Sequence, residues 1–488
     1  MGKTLFSPSF TAPSRASTPD TRQPLPCARP SSPARNYMRA TMLDFAPLYR
    51  PEQAYASLNV IPRDQHCISR KNINDSALKV MSRLRGAGYQ AYLVGGAVRD
   101  LLLGGHPKDF DIATDATPEA VHALFRNSRI IGRRFRIVHV RFGREIIEVT
   151  TFRGSHDSDT DEDSGHTDNQ SRQSASGLLL RDNVYGTLEE DAIRRDLSVN
   201  ALYYDSGKFE VFDHVGGLED LARRVICVIG DPAVRYREDP VRMLRVLRFA
   251  AKLDFKIAKS TAAAIPGCAH LLGEIPSARL FDEFLKLFLS GHAAATLEQL
   301  LQHKLLKYLF PHTDKCLQRD PAALALIRAA MANTDQRIAQ DKPVTPAFIL
   351  AALLWPVTHA QATRLQDHGE PAMVAMHSAA QEAISEASQH ISIPRRFSQP
   401  MREIWEFQLR LERRQGRRAA ELVDHRRFRA AYDFLLLREQ AGEDTGGLGE
   451  WWTGFQELSM DERLAQAPAA KGSRSGRRGR KRHSQDQE

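Results

Sequence analysis

The run Ala91-Tyr92-Leu93-Val94-Gly95-Gly96-Ala97-Val98-Arg99-Asp100, followed by Lys108-Asp109-Phe110-Asp111, decides the fold of this 488-residue chain. The apolar run Ala91 to Val94 reads as a strand. The Gly-Gly pair after it reads as a turn whose backbone N–H groups can approach an anion closely. Asp109 and Asp111 stand two apart, so on a strand both side chains project from one face. Two hard carboxylates on one face can hold Mg²⁺, which takes oxygen ligands and commonly shares its site with substrate phosphates. An Asp-x-Asp pair alone is a weak signal, common in solvated loops. The Gly-Gly turn at this distance makes it specific, because phosphates and a metal would then meet in one place.

Working outward, a helix is expected from Asn74 to Arg85, ended by Gly86 and Gly88, and another from Val98 to Leu103. Pro118 to Phe125 reads as a helix capped by Thr117. Arg136 to Phe142 and Glu145 to Phe152 read as strands joined by a Gly143-Arg144 hairpin turn. Residues 155–177, rich in Ser, Asp, His and Gln, form an expected flexible insertion, with order resuming at Leu178. Strand signals fade after about residue 220. Helical periodicity then takes over, at 240–252, 277–290, 294–309, 321–332, 346–354, 370–386, 400–414 and 426–440.

The length implies two to four domains. Apolar residues make up 42%, ordinary for a globular protein, and no apolar run approaches the ~20 residues of a membrane span. The net charge of +9 favours a polyanionic partner. Residues 471–488 carry seven Lys/Arg against two acids, so net +5 lies in that tail. Cys27, Cys67, Cys227, Cys268 and Cys316 are scattered without zinc-ligand or redox spacing, as reduced cytosolic thiols would be. The Pro/Ser/Arg-rich residues 1 to about 60 read as a disordered extension, with Met38 or Met42 as alternative starts.

Three further groups carry chemistry. A pair of metal ions wants a third carboxylate, and Glu148, within the apolar strand Ile146-Ile147-Glu148-Val149, is the candidate. In Glu190-Asp191-Ala192-Ile193-Arg194-Arg195-Asp196-Leu197-Ser198-Val199-Asn200, a helical reading puts Asp196 and Asn200 on one face, with Arg195 on neighbouring surface. Asn200 and Arg195 could hold ribose and triphosphate while Asp196 orients an arginine. In Glu238-Asp239-Pro240-Val241-Arg242, Pro240 suits a first helical turn and Asp239 its cap. Asp239 and Arg242 can then face one pocket and read donor and acceptor positions on a base edge.

Taken together, these segments from about Tyr89 to Phe255 resemble the class II nucleotidyltransferases, which include bacterial poly(A) polymerases and CCA-adding tRNA nucleotidyltransferases. The resemblance implies an α+β nucleotidyltransferase head, with a small mixed β-sheet, followed by a mainly α-helical neck and body and disordered tails. The expected partition is 61–225 head, 226–315 helical neck and RNA-binding region, 316–465 arginine-rich body and 466–488 basic tail. It makes Asp109 and Asp111 metal-binding carboxylates, joined by Glu148 in catalysis. It assigns Gly95, Gly96 and Arg99 to the triphosphate. Arg153, Arg195, Asp196, Asn200, Asp239 and Arg242 belong to the nucleotide pocket. The segment Ile130-Ile131-Gly132-Arg133-Arg134-Phe135-Arg136-Ile137-Val138-His139-Val140 resembles the poly(A) polymerase branch, as do Ile147 to Gly154, the polar insertion and the basic tail. The resemblance therefore implies addition of AMP from ATP to RNA 3′ ends with Mg²⁺, in a cytoplasmic, monomeric enzyme whose partners are ATP, RNA with a free 3′-hydroxyl and RNA-decay proteins. The alternatives are a CCA-adding enzyme, which would use CTP as well, and an RNA-binding protein without catalysis. Runs such as Arg410 to Arg418 and Arg426-Arg427-Phe428-Arg429 could track an RNA backbone or be solvated helix faces.

Overall fold

The computed structural model describes residues 58–132, 136–154 and 184–467, with two short strands at 172–173 and 179–181. Residues 1–57 of the expected extension, Arg133 to Phe135, most of the polar insertion and the tail from 468 lie outside the described residues, while Asn59–Ile61, at the extension's expected end, forms a strand.

The sheet strands of the head are β1 (Asn59–Ile61), β2 (Ala91–Val94), β3 (Asp111–Thr114), β4 (Ser128–Ile131), β5 (Ile137–Phe142), β6 (Glu145–Thr151), β9 (Leu202–Asp205) and β10 (Glu210–Asp213). The separate ladder at the end of the insertion pairs β7 (Arg172–Gln173) with β8 (Leu179–Arg181). The sheet runs β1-β10-β9-β2-β3-β6-β5-β4, antiparallel throughout except for the parallel pair β3–β6. Helix α1 (Asp75–Gly86) starts where the Asn74 side chain accepts from Ser76 N, and buries Ala77, Val80, Met81 and Leu84. That spacing is one helical stripe, packed against β2. Helices α2 (Gly96–Leu102) and α3 (Pro118–Leu124) follow β2 and β3. The Thr117 side chain caps α3, as expected.

The segment read as one helix through Asn200 is not one. Helix α4 (Leu188–Arg194) opens with a Thr187/Glu190 capping box and stops at Arg194. Arg195 is extended, and a 3₁₀ turn covers Ser198–Asn200. Asp196 explains the break: its Oδ1 accepts from Leu197 N at 2.9 Å, competing with the helix ladder. The chain then turns directly into β9.

The neck comprises α5 (Gly217–Arg223), a short parallel pair of β11 (Val225–Ile226) with β12 (Lys256–Ile257), α6 (Pro232–Glu238) and α7 (Val241–Leu253). That strand pair gave no sequence signal. Helix α7 buries Val241, Leu244, Val246, Leu247 and Ala250, while Arg242, Arg245 and Arg248 lie only partly buried on the remaining face. The body follows as α8 (Lys259–Cys268), α9 (Ser277–Phe288), α10 (Ala293–Gln302), α11 (Leu306–Leu309), α12 (Pro311–Leu317), α13 (Pro321–Ala339), α14 (Pro346–Asp367), α15 (Ala372–His390), α16 (Arg395–Leu411), α17 (Gly416–Leu422), α18 (Phe428–Gln440), α19 (Leu448–Gln456) and α20 (Met460–Gln466).

Two differences from expectation have clear causes. The helix expected over 294–309 breaks at Lys304, which takes a positive φ of 55°. The helix expected to stop at 354 runs through Pro356 to Asp367, although an internal proline costs about 3 kcal/mol. Burial of Ile349, Leu350, Leu353, Leu354 and Trp355 among neighbouring helices offsets that cost. Farther on, Phe407, Leu411, Phe428, Tyr432, Leu435, Trp452 and Phe455 form one buried cluster. Several body arginines are internally paired: Glu403 takes Arg426 and Arg427, and Asp433 takes Arg429 at 3.0 Å.

Candidate active site

Strand register builds the site. The last residue of β2, Val94, pairs with the first of β3, Asp111, and Asp111 pairs with Glu148 in β6. On the other side Val94 pairs with Tyr203 of β9, and Gly95 N donates to Leu202 O at 3.2 Å. One end of the sheet therefore gathers the Gly-Gly turn, the aspartates, Glu148 and the Arg195–Asn200 segment.

Gly95 has φ 75° and ψ −135°, a conformation closed to L side chains. A Cβ there would lie 3.8 Å from Arg195 Nη1 and from Asn200 O. The turn thus borders the Arg195 guanidinium. Arg195 donates from Nη2 to Asp191 Oδ2 at 2.9 Å and from Nε to Tyr203 OH at 2.8 Å, and lies over the Tyr203 ring. Tyr203 OH donates to the same Asp191 oxygen at 2.6 Å. Burial pushes the Asp191 carboxyl up, but Arg195 and Tyr203 more than offset it and hold the group below the ordinary carboxylate range. Asp191 also accepts from Arg153 N at 3.2 Å, tying the end of β6 to the same hub. Sequence reasoning passed over Asp191; its position four residues before Arg195 on a helix was the available signal.

The expected triphosphate residue Arg99 is only 1% exposed and packs against the turn, where a Cβ on Gly96 would lie 3.4 Å from its Nη2. It donates to Asp100 Oδ1 at 2.8 Å and to Asn200 Oδ1, and lies over the Phe249 ring. Arg99 therefore braces the turn and Asn200. Asp196, expected to orient an arginine, accepts at Oδ2 from Arg245 Nε of α7 at 2.5 Å. Burial raises the Asp196 carboxyl, and Arg245 more than reverses the effect.

Asp109 precedes β3 and is exposed, so the pair is not carried by one strand; Phe110 between them is buried and Asp111 half-buried. The Asp111 carboxyl is pushed up to about 6, first by burial and then by the facing Glu148 carboxylate, with Arg195 pulling the other way. Two carboxylates crowded together disfavour a second negative charge, and a divalent cation relieves exactly that repulsion of like charges. Among the described residues no three His, Cys, Asp or Glu side chains form a ready-made metal cage. An open carboxylate set fits Mg²⁺, whose remaining ligands come from water and phosphate.

Asp239 and Arg242 are near one another but have separate partners. Asp239 ends α6, its Oδ1 accepts from Val241 N at 3.3 Å, and its Oδ2 accepts from Arg279 of α9 at 2.7 Å. Arg242 donates to Glu238 Oε2 at 2.6 Å and to Arg235 O at 2.9 Å. Glu238 also takes Arg235 at 2.7 Å. Arg235 in turn donates to the Arg195 carbonyl at 2.8 Å, and burial, with Arg242 beside it, lowers its guanidinium to about 10. Glu238 and Arg279 were not singled out from sequence, because Arg279 meets Asp239 from forty residues away.

A glycine turn, facing carboxylates and a neck helix whose Arg245 pairs with Asp196, on this mixed sheet, define a nucleotidyltransferase. The solved CCA-adding enzyme of Bacillus stearothermophilus in complex with CTP superposes with a TM-score of 0.50 at 27% identity, over 80% of this chain and 81% of that one. A "Poly A polymerase head domain" matches residues 91–227. A "Probable RNA and SrmB- binding site of polymerase A" matches 254–317, and a "Polymerase A arginine-rich C-terminus" matches 368–486. Poly(A) polymerase I of Salmonella typhimurium is 49% identical over 84% of this chain and 89% of that protein. The CCA-adding enzyme of Bacillus pumilus is 38% identical over 48% of this chain and 54% of its own length. The chain belongs to the bacterial poly(A) polymerase family and is a polynucleotide adenylyltransferase, an RNA- and nucleotide-binding enzyme. Among the described residues no helix is long and apolar enough to cross a membrane.

Proposed function

We propose that this chain adds AMP from ATP to RNA 3′-hydroxyls by two-metal chemistry: a bond forms between the 3′-oxygen and the α-phosphorus, and the bond to the departing pyrophosphate breaks. The row Val94–Asp111–Glu148 carries the reading, because it joins the phosphate turn to two facing carboxylates. Asp109, Asp111 and Glu148 would hold Mg²⁺. When bound, Mg²⁺ lowers the pKa of the attacking hydroxyl and neutralises the departing pyrophosphate. The Gly95-Gly96 turn admits the triphosphate beside Arg195, which Asp191 and Tyr203 hold in place. Arg153 and Asn200 border the same pocket, Asn200 being fixed by Arg99. Asp196 sets Arg245 on the neck. Asp239 and Arg242 meet the base, and their separate clamps on Arg279 and Glu238 fix the donor and acceptor pattern that selects ATP. Tailed RNA then enters RNA processing and decay.

The test is primer extension with a 5′-labelled unstructured RNA and a tRNA lacking its CCA end, each with Mg²⁺ and one nucleotide at a time. The expected result is long ATP-dependent ladders on both RNAs. Two C additions and one A on the tRNA alone would transfer the chain to the CCA-adding reading. Asp109→Ala is expected to abolish extension while leaving folding and RNA binding intact; extension at the wild-type rate would refute the metal assignment.

A further inference from the structure

Strand register extends the carboxylate row. In β5, His139 is the partner of Glu148, and in β4, Arg129 is the partner of His139. Cross-strand partners project from the same face. Asp111, Glu148, His139 and Arg129 therefore line up across four adjacent strands. The flanking residues of β5, Val138 and Val140, are buried in the core, so His139 belongs to the site face. His139 Nε2 lies 3.2 Å from Glu148 Oε1, off the axis of a full hydrogen bond, and this buried nitrogen has no other polar partner.

The order of the row gives this contact a side. Gly95 and Arg195 lie on the β2–β9 side of Asp111. In-line displacement sets the attacking oxygen and the departing pyrophosphate on opposite sides of the phosphorus. With the triphosphate beside Gly95 and Arg195, the RNA terminus approaches over β6 and β5, where Glu148 and His139 stand.

We propose that His139 is a positioning residue that donates Nε2–H to Glu148 and fixes this carboxylate toward the metal serving the RNA 3′-hydroxyl. The proposal rests on Glu148 being a metal ligand. Outer partners of metal ligands change metal affinity by about 10–100-fold when removed.

The experiment uses full-length His139→Ala, His139→Gln, Glu148→Ala and the double variant His139→Ala/Glu148→Ala. Mn²⁺ binding is read by the loss of the free-ion electron paramagnetic resonance signal, with the α,β-methylene analogue of ATP present, and the Mg²⁺ midpoint is read by primer extension. His139→Ala is expected to weaken Mn²⁺ binding and raise the Mg²⁺ midpoint about 10-fold, with the ATP KM changing less than about twofold. His139→Gln, which keeps an N–H donor, restores most of the loss. In the Glu148→Ala background His139→Ala adds nothing further, because the contact is already gone. If His139→Ala leaves both metal readouts unchanged while Glu148→Ala weakens them, the positioning role is overturned. If Glu148→Ala itself leaves Mn²⁺ binding unchanged, Glu148 is no ligand and the proposal built on it falls, while Asp109→Ala decides the aspartate assignment.

Discussion

Asp191→Asn tests whether one buried carboxylate holds Arg195 in place beside the glycine turn. Asp191 is 5% exposed. Its Oδ2 accepts from Arg195 Nη2 at 2.9 Å, Arg195 Nε at 3.2 Å and Tyr203 OH at 2.6 Å, and its Oδ1 accepts from Arg153 N at 3.2 Å. Asparagine offers one oxygen and one NH₂ group, so in either orientation the NH₂ faces a donor. The charge is lost as well. Removing one member of a buried ion pair costs about 3–5 kcal/mol. Tyr203 OH remains 2.8 Å from Arg195 Nε, which favours the lower end. A loss of about 3 kcal/mol corresponds to a fall of about 6–12 °C in the thermal transition of a head this size. Arg195, released beside Gly95, should raise the ATP KM while RNA affinity is unchanged.

The same variant carries a pH signature. Burial raises the Asp191 carboxyl, but Arg195 and Tyr203 bring it to a net value below the ordinary one. A depressed folded-state pKa stabilises the fold above the unfolded value, about 3.9, and that stability is lost as pH falls through the lower folded value. The stability gap between wild type and Asp191→Asn should therefore hold steady above about pH 5 and narrow below about pH 4. Differential scanning calorimetry across pH, with ATP-dependence kinetics, checks both. A transition shifted by less than about 1 °C with an unchanged ATP KM would refute the hub.

Gly95→Ala must place an L residue at φ 75°, which costs about 1–3 kcal/mol; calorimetry should show that loss, and kcat/KM for ATP should fall as the turn shifts against Arg195. Arg279→Ala removes the 2.7 Å partner of Asp239. Its side chain is 30% exposed, so stability should hold while the ATP-over-CTP preference in single-nucleotide extension falls about 10-fold. Deleting residues 468–488 removes seven Lys/Arg, and the salt-dependence slope of RNA binding, measured by filter retention, should shrink by up to about 5.

The legible part of this chain is local. The Gly-Gly turn and the Asp-x-Asp pair carry their meaning within twenty-one residues, Ala91 to Asp111, and the hairpin of β5 and β6 follows from alternation and one turn glycine. Glu148 could be proposed because a carboxylate in an apolar strand must be accounted for; the parallel register with Asp111 supplies the account. Other parts turned on backbone breaks and side-chain partners that spacing does not name. Helical spacing linked Asp196 to Asn200, but the chain leaves the helix at Arg195 to enter β9. Asp239 and Arg242 stand three residues apart, but the partners that hold them, Arg279 and Glu238, are separate. The C-terminal end of α14 was hidden by Pro356, whose cost only packing could offset.

Residue spacing and composition by themselves pointed to a mixed strand-and-helix head, a helical body, the Gly95-Gly96 turn and the candidate carboxylates Asp109, Asp111 and Glu148, because period and turn chemistry act over a few residues. Which side chains stand against which was decided by the tertiary structure alone. Arg99 donates to Asn200, Arg195 is held by Asp191 and Tyr203, Arg245 crosses from the neck to Asp196, and His139 ends beside Glu148. Buried charges must find opposite charges or hydrogen-bond partners wherever the fold brings them. Strand register and helix packing, which join residues many tens of positions apart, choose those partners.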